Sequence, residues 1–268
     1  MAFVNEYVKE IIELEVALFH ARARLEATAD DEALHDLRIC IRRIRSLLSP
    51  LRSIAATNSL REAAAQVGRL TTPTRDLEVM AIELQARGMP AEAAARRARL
   101  QADYKAILDD AALKRLFVAL DNWPSLFRAE DAGRDSAKLK RLIGRALTKQ
   151  IDKLHAALND PQFDRHELRI LVKRSRYLTE AFPHLSPLSK NAAKSLKAVQ
   201  AALGSWHDHF QWCLKAKEQA DLQPLEQIWL QASVQELAQA EAEIKRLQRL
   251  LPDIRKKHRA APVRQPAR

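Results

Sequence analysis

Two short stretches concentrate the side chains that could do chemistry. From His35 the chain reads HDLRICIRRIR, and from His166 it reads HELRILVKRSR. Each joins an imidazole to guanidinium and ammonium groups, which donate hydrogen bonds to phosphate oxygens and carry positive charge. On a helix turning about 100° per residue, His35, Arg38, Arg42 and Arg45 fall within an arc of roughly 80°. His166, Arg169, Lys173 and Arg176 repeat that arc. Leu37, Ile41, Ile44 and Leu48 lie on the opposite side, as do Leu168 and Val172, and Arg43 belongs to neither face. The spacing therefore predicts a helix anchored by an apolar stripe and presenting a narrow cationic row.

Like charges three or four residues apart repel by a few tenths of a kcal/mol per pair, so a solvated helix usually mixes signs. A row without acids is tolerable where anions are meant to sit, and an imidazole gains charge when phosphate lies nearby. One such row reads as an ordinary solvated face. Two copies favour a binding surface. Lys190, Lys194 and Lys197 extend the candidate site at i, i+4, i+7 spacing, Lys138, Arg141, Arg145 and Lys149 form a similar run, and both runs read equally well as solvated surface.

The copies are related. HDLRICIRRIRSL and HELRILVKRSRYL share seven of thirteen positions at an offset of 131 residues. Further on, RDLEV at Arg75 matches HDHFQ at His207 at an offset of 132. Matches at nearly constant offset point to an internal duplication.

The elements that must position these rows are helices. Ala, Leu, Glu, Lys, Arg and Gln dominate and only five glycines occur, a composition rich in strong helix formers. Helical periodicity predicts segments at about 3–28, from Asp30 or Asp31 as cap to Pro50, to Gly68, from Pro73 to Gly88, and from Pro90 to about 120. NWPSLFRAEDAGRD, residues 122–135, reads as a linker because of Pro124 and Gly133. Helices resume at about 136–159, 163–182, 186–203, 205–220 and 224–250. The expectation is an all-α domain over 1–254, built as two pseudo-symmetric four-helix bundles (3–121 and 136–250). The two rows would then face one another or lie side by side as a basic groove.

The formal net charge is +11, which suits a polyanion: nucleic acid, a phosphate polymer or an anionic membrane surface. Residues 255–268 contribute six of the lysines and arginines without an acid and read as a basic flexible tail, yet the body of the chain stays basic. Cys40 and Cys213 form neither a metal spacing nor a disulfide framework, and Cys40 reads as core-facing. No signal peptide or run of about 18 apolar residues is apparent, so the expectation is a cytoplasmic protein with no membrane span.

HDLRICIRRIR, HELRILVKRSRY, RDLEV and LGSWHD together resemble the CHAD family, the histidine-containing α-helical domain, over about residues 5–250. The resemblance implies a compact all-helical domain that binds inorganic polyphosphate without catalysis, with association to polyphosphate granules as a corollary. It assigns the anion site to His35, Arg38, Arg42, Arg45, His166, Arg169, Lys173 and Arg176. Arg75 and His207 match the family's basic position before an Asp, and Asp76 and Asp208 would orient neighbouring bases. Ser175 stands where an apolar residue is expected, and LTTPTRD lacks the glycine of LGSWHD, which leaves that turn open.

No catalytic residue, cofactor or metal site is expected. EAEIK, Glu241 to Lys245, mimics the ExExK strand of the triphosphate-tunnel domains fused to some CHAD proteins. Its surroundings are helical, however, and there its two glutamates diverge by about 200°. His207, Asp208 and His209 are adjacent and cannot share a helix face. No P-loop or GxGxxG occurs. Other readings are a nucleic-acid-binding helical protein and a basic adaptor for an acidic protein. Sparse aromatics at the site and the lack of a helix-turn-helix or zinc-finger pattern argue against nucleic acid.

Overall fold

The computed structural model describes residues 2–251, so the basic tail at 255–268 lies outside the described residues. All regular structure among the described residues is helical. The chain divides into two compact units, the first ending at Ile143 and the second beginning at Gly144.

The first unit contains α1 (Ala2–Glu26), α2 (Ala33–Leu48), α3 (Asn58–Leu70), α4 (Thr72–Ala86), α5 (Pro90–Asp109), α6 (Ala111–Ala129) and the short α7 (Asp131–Arg134). α8 (Ser136–Leu158) begins in it and carries the chain into the second unit, which holds α9 (Arg165–Ala181), α10 (Lys190–Glu218) and α11 (Glu226–Leu250).

α2 is held by its apolar stripe. Leu34, Leu37, Ile41, Ile44, Leu47 and Leu48 are all buried, and Cys40 joins them as expected. Burying a large aliphatic side chain contributes about 1.5–3 kcal/mol, against tenths for each repulsion along the cationic row, so packing decides where the row points. α1 and α6 close this core. The Tyr7 hydroxyl donates to Leu47 O at 3.0 Å, and the Tyr7 ring lies 5.6 Å from Phe127 and 5.9 Å from Trp123.

The second unit repeats the principle. Leu168 and Val172 of α9 are buried with Leu196, Val199 and Leu203 of α10, Ile244 and Leu247 of α11, and Ile151 and Leu154 of α8. Ser175, where an apolar residue was expected, is fully buried. Its hydroxyl donates to Leu171 O at 2.8 Å and accepts from Gln150 Nε2 at 3.0 Å. A polar atom is accommodated there because both of its hydrogen-bonding roles are filled.

Several expected boundaries are corrected. Residues 122–129 are not a linker, because α6 runs through Pro124 to Ala129. An interior proline costs roughly 3 kcal/mol, but its neighbours Trp123 and Phe127 are fully buried and stacked at 4.8 Å, which outweighs the break. Gly133 marks close approach: a Cβ there would lie 1.8 Å from Phe127 O. The helix expected from 90 to 120 divides at Asp110, whose carboxylate accepts from Ala112 N at 2.6 Å and caps α6. The helices expected either side of Gly204 are one, α10, since a mid-helix glycine costs only about 1 kcal/mol. α2 starts after Glu32; Asp30 accepts from Glu32 N at 3.0 Å but is also gripped by Arg24. EAEIK lies within α11.

Candidate anion-binding site

In the first unit α2 brings its row against the start of α4. The α3 helix stops at Leu70 because Pro73, lacking an N–H, cannot continue it, and Pro73 instead opens α4. That break leaves carbonyls to be satisfied. Thr72 Oγ1 donates to Gly68 O at 2.8 Å and Thr71 Oγ1 to Val67 O at 2.9 Å. Arg38 Nη1 completes the cap, lying 2.7 Å from Thr71 Oγ1 and 3.2 Å from both Gly68 O and Thr72 Oγ1. Arg45 lies over the same glycine: a Cβ on Gly68 would come within 3.1 Å of Arg45 Nη1.

Arg75 joins this cluster from α4. Burial first, and then the charges of Arg75 and Arg42, hold the His35 imidazole below its ordinary pKa. Burial likewise depresses Arg38, opposed by Asp76 and reinforced by Arg75 and Arg42. His35 and Arg38 thus sit in the positive field of Arg42 and Arg75. The counterweight is Glu78, which is buried. It accepts from Arg75 Nη1 at 2.7 Å and from the Tyr104 hydroxyl at 2.6 Å. The burial of Tyr104 and this carboxylate raise the Tyr104 pKa.

In the second unit α9 presents its row beside the middle of α10. His166 is exposed, and its ring lies 5.0 Å from that of His207 at an interplanar angle of 34°. The two expected histidines are thus brought together. His207 does not itself offer a donor to solvent, because both of its ring nitrogens are buried without a hydrogen-bond partner. Its ring packs against that of His166 instead. Asp208 Oδ1 stands 3.8 Å from His207 Nδ1, too far for a hydrogen bond. Arg169 is half-buried and makes no hydrogen bond or ion pair among the described residues, whereas Lys173 is half-buried and engaged. Arg176 donates to Glu180 at 2.6 Å and lies 5.6 Å over the Tyr177 ring.

Lys190, Lys194 and Lys197 are exposed. Helical geometry puts them opposite the buried face of α10 formed by Ala192, Leu196, Val199 and Leu203. Lys197 is also ten positions, or about 15 Å, along the helix from His207. The structure does not gather these lysines with the histidine pair. Lys138 is paired with Asp131 at 2.8 Å.

Sequence reasoning missed the carboxylates that partner the bases. Arg165 donates to Glu241 at 2.5 Å, and His209 Nδ1 lies 2.7 Å from Glu236 Oε2. It also missed the aromatic flank. Trp206 stacks on Phe210 with centroids 6.0 Å apart, and Phe210 is 45% exposed. The i, i+4 spacing of these two residues was the available signal.

The CHAD domain family model matches residues 13–217, which span both rows, Arg75 and His207. A crystal structure of the CHAD domain from the plant Ricinus communis is similar to the chain at 26% identity, covering 93% of this chain and 89% of that one, with a TM-score of 0.62. No curated protein is recognisably similar in sequence.

Proposed function

The chain belongs to the CHAD family, and on that premise we propose that it binds inorganic polyphosphate without catalysing a reaction on it. The observation that carries this reading is the α9 row. Exposed His166 and Arg169, which has no partner among the described residues, stand on one helix face, with Lys173 and Arg176 continuing it, and α9 is fixed from behind by Leu168 and Val172. The α9 N-terminus adds the positive end of a helix dipole beside His166. The first unit offers a second cationic cluster in His35, Arg38, Arg42, Arg45 and Arg75, partly committed to the fold through Arg38 and Glu78.

Polyphosphate suits a row better than a point site does. Its charges repeat at short intervals along a flexible chain, so one molecule engages several cations and each further contact is intramolecular. Long chains should therefore bind far more tightly than orthophosphate. A cytoplasmic location and association with polyphosphate granules go with this reading. Among the described residues, no helix is long and apolar enough to cross a membrane.

The test is a competition titration of long-chain polyphosphate, DNA, RNA and heparin at two salt concentrations. Polyphosphate should outcompete the others at about 150 mM salt, where general attraction is screened to roughly 8 Å. Nucleic acid binding as tightly under those conditions would replace this reading with the nucleic-acid one.

A further inference from the structure

α10 extends past the start of α9. α9 begins at Arg165, and its second residue, His166, packs against His207, so α10 continues for eleven positions past the α9 start, to Glu218. Trp206, Phe210 and Leu214 fall at i, i+4, i+8 along one side of that extension. Trp206 is partly buried against the core of the second unit. Phe210 and Leu214 are 45% and 41% exposed.

The exposed ring is linked to the cationic row by a series of ring contacts. His166 lies 5.0 Å from His207, His207 lies 6.3 Å from Trp206 edge-to-face, and Trp206 lies 6.0 Å from Phe210 in a stack. Phe210 is thus backed by an indole that the core holds, is partly open to solvent, and is connected to His166 through Trp206 and His207. Of the carboxylates near this end, Glu236 is held by His209 and Glu241 by Arg165, while Glu167, next to His166 in the chain, is exposed. Asp208 is exposed next to His207. An aromatic platform beside an anion-binding row matches a ligand with a flat ring at one end and linked phosphates at the other.

We infer that the second unit's site accepts nucleoside polyphosphates, the base stacking on Phe210 over its Trp206 support while the phosphates lie along His166, Arg169 and Lys173. This rests on the polyphosphate reading and narrows it: a base-capped triphosphate should bind better than a bare triphosphate of similar charge. Stacking on an exposed protein ring contributes modestly, so the expected advantage is roughly five- to tenfold.

The experiment titrates ATP and inorganic tripolyphosphate against the full chain at matched ionic strength without divalent metal, with long-chain polyphosphate as reference. ATP should bind about five- to tenfold more tightly than tripolyphosphate. Phe210→Ala and Phe210→Leu should both erase that advantage and leave tripolyphosphate affinity unchanged, whereas Phe210→Trp should preserve it. Unchanged melting temperatures exclude misfolding of an exposed position. Equal affinities for ATP and tripolyphosphate in the wild-type chain, or a Phe210→Leu variant that keeps the advantage, would overturn this inference while leaving polyphosphate binding intact. Failure of long-chain polyphosphate itself to bind would instead overturn the underlying reading, and this inference with it.

Discussion

The two motif helices carry nearly the same residues and put them to different use. Arg38 of α2 and Arg169 of α9 occupy matching positions at the 131-residue offset. Arg38 caps the broken end of α3, with Gly68 O, Thr71 and Thr72 as acceptors. Arg169 binds nothing among the described residues. The cause lies on the facing helix. Where LTTPTRD has Pro73, the equivalent LGSWHD segment has Ser205. Pro73 ends one helix and begins another, exposing carbonyls that a guanidinium can take. Ser205 lets α10 run straight through, its carbonyls satisfied internally. Thr71 and Thr72, whose hydroxyls hold Arg38, are Leu203 and Gly204 at the 132-residue offset of these segments, so the second unit lacks those hydroxyls as well as the helix break.

Breaking that difference at its source gives the largest expected effect. Ser205→Pro should cost about 3 kcal/mol or more in urea unfolding, because it interrupts α10 where both flanks are packed. Next, Arg38→Ala should cost about 2–3 kcal/mol by leaving a carbonyl and two hydroxyls without their charged donor, whereas Arg169→Ala should stay within about 0.5 kcal/mol of wild type, as at an unpartnered surface position. Equal losses in the two variants would show that Arg169 also supports the fold.

Smaller effects sharpen the contrast in binding. Arg169→Ala should weaken polyphosphate affinity by roughly tenfold, the scale of one charge-assisted contact. The smallest effect is on pH dependence. His35 is held below its ordinary pKa in the free protein, so the unfolded state takes up its proton first. The first unit should then lose stability as pH falls from 6.5 towards the folded pKa, and His35→Asn should flatten that slope. A bound anion would restore the proton, so affinity at the first unit's cluster should rise over the same interval. A His35→Asn protein with an unchanged slope would remove His35 from this account.

The fold class and both rows were legible in the sequence, because helical periodicity and a repeated motif are local patterns. Leu37, Ile41, Ile44, Leu168 and Val172 are buried where the pattern put them. What was not legible depends on partners distant in sequence. The Arg38 cap needs the α3 break some thirty residues away, the Arg75–Glu78–Tyr104 cluster needs α5, and the closing of His207's nitrogens needs α9 packed over it. Pro124 and Gly204 misled for a related reason. Local propensity marked them as breaks, and tertiary packing of Trp123, Phe127 and Leu203 overrode it.

The most direct measurement is the salt dependence of polyphosphate affinity in the wild type and in Arg169→Glu combined with Lys173→Glu. Each cation that meets a phosphate releases roughly one counterion, so the slope of log affinity against log salt should become shallower by about two in the variant, with affinity lowered and the melting temperature near wild type. A variant with wild-type slope and affinity would contradict the claim that the α9 row holds the polymer.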